Sequence, residues 1–115
     1  CERVRLLKIN DWLVAFSNVG AYQASAARGL ISIGAHVAVV AGRKDDSIQI
    51  SMRACKEFNE KTGVHLGRDI AKPLGEYLKG MGGGHSLSAG VNGIGDVDGS
   101  LKRCVRLFKD SLSKP

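Results

Sequence analysis

The chain alternates short apolar runs with polar breaks, and the period of each run predicts its element. Asp11-Trp12-Leu13-Val14-Ala15-Phe16 is rich in strand formers and predicts a buried strand, with Trp12 and Phe16 inside. Ser17-Asn18-Val19-Gly20 supplies turn and N-cap chemistry. Ala21 to Ile33 then reads as a helix, with Ala24, Ala27, Ile31 and partly Leu30 on one face and Gly34 as its stop. His36-Val37-Ala38-Val39-Val40-Ala41 is apolar on both faces after the histidine, as in a central strand covered from both sides. His36 sits at the mouth of that strand and reads as structural. The polar Gly42-Arg43-Lys44-Asp45-Asp46 marks a hairpin turn. Beyond it, Ile48, Ile50 and Met52 alternate with Ser47, Gln49, Ser51 and Arg53, the period of a strand with one buried and one polar face.

Cys55 to Val64 is polar and short, with a helical turn expected around Phe58. Leu66, Ile70, Leu74 and Leu78 recur at helical spacing, with Tyr77 beside them, and predict an amphipathic helix. Pro73 inside it is expected to kink it or divide it in two, because proline has no N–H to donate and its ring crowds the preceding turn. Gly80 closes this helix. Ser86 to Val91 reads as a short strand, and Gly93 and Gly95 turn the chain. Asp96 and Asp98 offer caps for a last helix from about Gly99 to Leu112. Leu101, Cys104, Val105, Phe108 and Leu112 form its buried stripe, while Lys102, Arg103, Arg106 and Lys109 face outward. Cys1 to Lys8, basic and mixed, reads as a linker or a short lead-in strand. Residues 1–10 are therefore set apart as lead-in, and residues 11–115 form one domain without repeats or low-complexity tracts.

Composition narrows the partners. The net charge of +6, from 17 basic and 11 acidic residues, favours an anionic partner such as nucleic acid or a nucleotide. No apolar run is long enough to span a bilayer and no leader is recognised, so no membrane partner is expected. The first residue is Cys1 rather than Met, so the chain is expected to be a fragment or a processed product. Cys1, Cys55 and Cys104 are widely spaced and odd in number, which fits neither a zinc site nor a disulfide framework and points to a reducing cytoplasm. Cys104 is expected in the core, with Cys55 an incidental thiol. His36, His65 and His85 show no metal-ligand spacing.

The candidate chemistry lies in Met81-Gly82-Gly83-Gly84-His85-Ser86-Leu87-Ser88-Ala89-Gly90. Three consecutive glycines free the backbone and admit close approach, and their bare amides are expected to converge on a phosphate or another anion. The imidazole of His85 follows at once, able to donate a hydrogen bond near neutral pH. The competing reading is a flexible glycine turn with an incidental histidine. Ser51 and Arg53 stand side by side on the polar face of their strand, a hydroxyl beside a guanidinium fork, which suits a phosphate as well as it suits solvent. The outward Lys/Arg face of the last helix is a second place for a nucleic-acid backbone, although such a face is more often simply solvated. The aromatic share of 5% argues against base stacking on this domain.

Together these pieces resemble the DHH-associated domain, the C-terminal domain of DHH-superfamily phosphoesterases such as RecJ-type exonucleases, oligoribonucleases and cyclic-dinucleotide phosphodiesterases. The resemblance rests on Ser51-Met52-Arg53-Ala54, where the family has Ser-x-Arg-Ser, and on Gly82-Gly83-Gly84-His85 followed by Ser88-Ala89-Gly90, where the family has Ala-Ala-Gly. Both departures exchange one small residue for another. The resemblance runs from about Asp11 onward and implies an α/β fold, a mixed sheet of about five strands with helices packed on it. It implies that the manganese ions are held by an N-terminal DHH domain outside this chain, so the chain alone is not expected to hydrolyse anything. It further implies that His85 and the amides of Gly82, Gly83 and Gly84 lie at the scissile phosphate or the nucleotide, His85 with a catalytic role, and that Ser51 and Arg53 seat a terminal or flanking phosphate. The implied partners are the protein's own N-terminal DHH domain and a single-stranded nucleic acid or nucleotide phosphoester. The alternative is a non-hydrolytic nucleic-acid-binding module like the C-terminal domain of alanyl-tRNA synthetases, in which the glycine motif is typically not followed by histidine in this way.

Overall fold

A computed structural model describes residues 4–20 and 23–114. Cys1 and the expected helix start at Ala21 lie outside the described residues. The described residues form six strands and four α-helices in this order: β1 (Val4–Ile9), β2 (Trp12–Asn18), α1 (Gln23–Ser32), β3 (Val37–Lys44), β4 (Ser47–Ala54), α2 (Lys56–Thr62), a π-helical segment (Leu66–Ala71), α3 (Lys72–Tyr77), β5 (Met81–Gly84), β6 (Ser88–Gly93) and α4 (Val97–Leu112). The strands form one mixed sheet in the order β1-β2-β3-β4-β6-β5. The pair β2–β3, joined through α1, is parallel, and every other pair is antiparallel. The α/β class stands, with six strands rather than about five. The glycine run supplies β5 as the additional strand, and residues 4–9 form β1, the lead-in strand rather than the linker. Its register with β2 runs from Val4 opposite Ser17 to Ile9 opposite Trp12. As an edge strand it exposes Val4 and Leu6, so its sequence shows no continuous apolar run.

The sheet is covered unequally. Strand β3 buries both faces, as its sequence requires: Val37, Val39 and Ala41 join the main core, while Ala38 and Val40 pack with Ala27 beneath α1. The main core gathers Ile48, Ile50 and Met52 of β4 with Phe58, Leu66, Ile70, Leu74, Leu78, Cys104 and Phe108 from the helical side. Burial drives the Cys104 thiol well above its ordinary pKa, so it behaves as an apolar side chain. Trp12 packs edge-on against Phe58 and His36, at centroid distances of 5.2 and 5.0 Å. His36 Nδ1 accepts the Leu13 N–H at 3.0 Å, which ties β2 to the start of β3 and makes this histidine structural.

The Leu66–Leu78 stripe is buried at every position, but the segment is not one helix. It begins as a π-helix and becomes α3 at Lys72, the residue before Pro73. Pro73 stands in the first turn of α3, where its missing N–H leaves no intrahelical bond unmade, so the division at the proline takes this form. Tyr77 lies off the buried stripe and is 55% exposed, with the Arg103 guanidinium 4.7 Å from its ring centroid. In α4, Asp96 accepts the Gly99 N–H at 2.8 Å as N-cap, Cys104 and Phe108 are fully buried, and Lys102, Arg103, Arg106 and Lys109 are exposed. No helix among the described residues is long and apolar enough to cross a membrane.

Candidate functional site

The glycine run is a strand. Gly82, Gly83 and Gly84 belong to β5, at the edge of the sheet, paired with Val91, Gly90 and Ala89 of β6. In a strand successive N–H groups point to opposite edges, so the three glycine amides do not converge as the expected anion cradle would require. The His85 N–H donates to the Ser88 carbonyl at 2.7 Å, which closes the β5–β6 hairpin. Continuing that alternation, Gly83 lies in a hydrogen-bonded pair with Gly90, and the Gly82 and Gly84 amides point to the outer edge.

The three glycines also differ in what surrounds them. A Cβ on Gly82 would overlap the Ala71 carbonyl oxygen, one on Gly84 would stand 2.6 Å from Ala89 Cα and from the Ser88 oxygen, and one on Gly83 would meet nothing within 4 Å. The helical side presses on β5 through glycines of its own. A Cβ on Gly75 would overlap the Gly82 nitrogen, and one on Gly67 would overlap the Gly84 carbonyl. Gly82 and Gly84 are therefore accounted for by backbone-to-backbone packing and by the turn at Gly84, where φ is +140°. Gly83 is not.

The register places Gly83 next to the second candidate. Ser51 of β4 pairs with Gly90 of β6, and Gly90 pairs with Gly83. One step along, Arg53 pairs with Ser88, and Ser88 with His85. Ser51, Arg53, Ser88, Gly90 and Gly83 thus share the sheet face on which α1 lies, with His85 at the end of the row that carries Arg53 and Ser88. Helix α1 packs mainly on β3 and β4, and a small cavity separates its edge from β6. Gly83 and Gly90 leave a floor of bare backbone there, since Gly90 has only the Ile50 oxygen, at 3.6 Å, in the space its Cβ would fill. Arg53 Nη2 donates to Ser88 Oγ at a long 3.5 Å, and Ser51, Arg53 and Ser88 are half-buried, whereas His85 is exposed. A small cavity of about 50 Å³ opens between α1 and β4–β6, lined in part by Ser51, Arg53 and Ser88.

His85 is held from behind. The π-helix directs two N-terminal amides at the turn after β5: Leu66 N–H donates to the Ser86 oxygen at 3.1 Å and Gly67 N–H to the His85 oxygen at 3.0 Å. That end is fixed by a reciprocal cap in which His65 Nδ1 accepts the Arg68 N–H at 3.0 Å and Asp69 accepts the His65 N–H at 2.9 Å. The Arg68 side chain, 2.8 Å from Asp69, holds the Asp69 carboxyl below the ordinary carboxylate range. Sequence reasoning missed three parts of the site. Ser88 was read as a neutral exchange for alanine, but its hydroxyl partners Arg53. Gly90 forms half of the bare floor. His65, three residues before Arg68 and four before Asp69, carried a capping signal that went unread. Among the described residues no three or more His, Cys, Asp and Glu side chains come together as a metal site.

No family model matches the sequence. An uncharacterized protein of Methanocaldococcus jannaschii is 33% identical over 108 residues, which are 92% of this chain and 32% of that protein. The chain therefore spans about a third of that relative's length. Among solved structures, the C-Ala domain of Aquifex aeolicus alanyl-tRNA synthetase superposes with a TM-score of 0.69 at 22% identity, covering 96% of this chain and 99% of that one. A pGpG-specific phosphodiesterase of Vibrio cholerae superposes with a TM-score of 0.57 at 8% identity, covering 96% of this chain and 36% of the phosphodiesterase. What this chain shares with both, at such identities, is a fold.

Proposed function

We propose that the chain is a phosphate-binding domain that holds single-stranded nucleic acid or a nucleotide phosphoester on the open face of β4, β6 and β5. The observation that carries this reading is the division within the glycine run. Packing accounts for Gly82 and Gly84, but nothing in the fold requires a glycine at Gly83 or Gly90, which floor a trough beside Ser51, Arg53, Ser88 and His85. A guanidinium with adjacent hydroxyls is suited to phosphoryl oxygens, and the bare floor lets a flat group lie against the backbone. The net charge of +6 favours the same ligands.

In its finer form, the chain is the substrate-binding domain of a DHH-type phosphoesterase, RecJ-like or acting on oligonucleotides or nucleotides. The Ser51-x-Arg53 and Gly82-Gly83-Gly84-His85 signatures support this, as does the fold shared with a phosphodiesterase. The manganese ions of such an enzyme have no donor set among the described residues, so no metal step is assigned to this chain. Its work would be to bind and orient the phosphoester, with Arg53 and Ser51 on one phosphate and His85 donating to a phosphoryl oxygen. The second reading, a nucleic-acid-binding module without hydrolysis, is favoured by the higher and mutually complete superposition on the C-Ala domain.

An NMR titration of the ¹⁵N-labelled chain with a short 5′-phosphorylated single-stranded oligonucleotide, with pAp and with a cyclic dinucleotide tests the common core of both. Shifts are expected at Gly83, Gly90, Arg53 and His85. Shifts confined to Lys102, Arg103, Arg106 and Lys109 of α4 would overturn the assignment. Hydrolysis then separates the two readings. In a protein that also carries the metal-bearing domain, His85→Ala is expected to lower turnover about a hundredfold or more, as loss of one positioned donor does. Unchanged turnover removes the hydrolytic role of His85.

A further inference from the structure

We propose that Arg28, on α1, is a ligand-contact residue that supplies a second guanidinium to the Ser51–Arg53 seat, so that one phosphate is gripped from helix and sheet together. This rests on the phosphate-binding reading above. Arg28 lines the same cavity of about 50 Å³ as Ser51, Arg53 and Ser88. A water needs only about 10–15 Å³ of such space, so there is room for a group of several heavy atoms. The lining includes two arginines and two serines but no acidic residue. Neither arginine takes part in an ion pair among the described residues. The Arg28 guanidinium donates to Ser25 Oγ of its own helix at 3.2 Å, and that of Arg53 reaches Ser88 Oγ only at 3.5 Å. Two like charges carried beside one small cavity repel, and an anion between them reverses the sign of that interaction. Ala24 and Ala27 complete the α1 side of the lining, and their small side chains leave the space open.

Charge matching identifies the preferred class. Two guanidiniums neutralise the dianion of a phosphomonoester, whose second pKa is about 6, better than the monoanion of a phosphodiester. Isothermal titration of the 115-residue chain at pH 7.5 with AMP and with the methyl ester of its phosphate, a diester, tests this. The wild-type chain is expected to prefer AMP. Arg28→Gln is expected to weaken AMP about tenfold, the loss of one charge-assisted hydrogen bond, and to remove most of the preference, while Arg28→Lys restores part of it. Arg28 is exposed, so these variants keep the fold, and circular dichroism verifies that. If Arg28→Gln binds AMP as the wild type does while Arg53→Gln and Gly83→Ala weaken it, the α1 contact is overturned and the phosphate-binding reading stands. If none of the three weakens it, both are overturned, whereas a wild type that binds the 5′-phosphorylated oligonucleotide but not AMP overturns the α1 contact alone.

Discussion

The two faces of the β5–β6 hairpin use glycine for opposite ends. On the helical face, Gly67, Gly75 and Gly82 let helix and strand backbones meet with no side chain between them, and any added Cβ collides with backbone. On the α1 face, Gly83 and Gly90 have ordinary or empty space where a Cβ would go, so packing does not select glycine there. A glycine that packing requires says nothing about a ligand. One that packing leaves unexplained, in register with Ser51 and one step from Arg53, points to something that comes and goes. The contrast predicts opposite phenotypes for neighbouring residues of one motif.

The largest effect is expected at the closed face. Gly82→Ala sets a methyl group into the Ala71 carbonyl, and neither backbone can give way without moving the π-helix or β5. A loss of about 3 kcal/mol in urea unfolding is expected, the upper end of ordinary overpacking. Gly83→Ala, one residue on, should leave stability within about 0.5 kcal/mol of wild type, as for a surface change away from any special feature. It should still weaken phosphoester binding in the NMR titration, because the methyl group stands on the floor of the trough. Equal destabilisation by the two variants would break the comparison.

Next in size is Arg53→Gln, which removes a charge from the open face while leaving Ile48, Ile50 and Met52 on the buried one. Binding is expected to fall about tenfold or more, with little change in melting temperature. Ser88→Ala removes one weakly held hydroxyl from the same face. A loss of about fivefold at most is expected by calorimetry, in line with a single neutral hydrogen bond. No loss at all would mean that Ser88 only fills space beside Arg53.

Elements that declare themselves through their own period were legible in the sequence. The both-sided apolar run of β3, the alternation of β4 and the stripe of α4 each specify which face is buried without reference to the rest of the chain. The division of the Leu66–Leu78 segment was legible because Pro73 acts locally. The role of Gly82 was not, because its cause is the carbonyl of Ala71, brought to it by tertiary packing. For the same reason an extended glycine strand was read as a converging loop: glycine is permissive, and only its neighbours decide which conformation it takes. Ser51, Arg53 and His85 were each recognised as polar candidates, but their shared face depends on the register of β4 with β6 and β6 with β5, which neither segment encodes alone.

The smallest effect asks whether the two faces are independent. Asp69 belongs to the closed face, where with His65 and Arg68 it caps the π-helix whose amides hold the His85–Ser86 turn. Its carboxyl is held below the ordinary range, chiefly by the Arg68 side chain. A lowered folded-state pKa contributes stability that is fully present above the unfolded value of about 3.9 and is lost as pH falls through the lower folded value. Asp69→Asn should therefore flatten the acid limb of the stability curve. Near neutral pH it should change stability by less than about 1 kcal/mol, because Arg68 is 67% exposed and the pair is screened. If the faces are independent, phosphoester affinity of this variant at pH 7 stays within about twofold of wild type, the margin within which separate sites add. A larger loss would show that the cap reaches the open face through the turn it holds, and that the closed face positions His85 as well as carrying the fold.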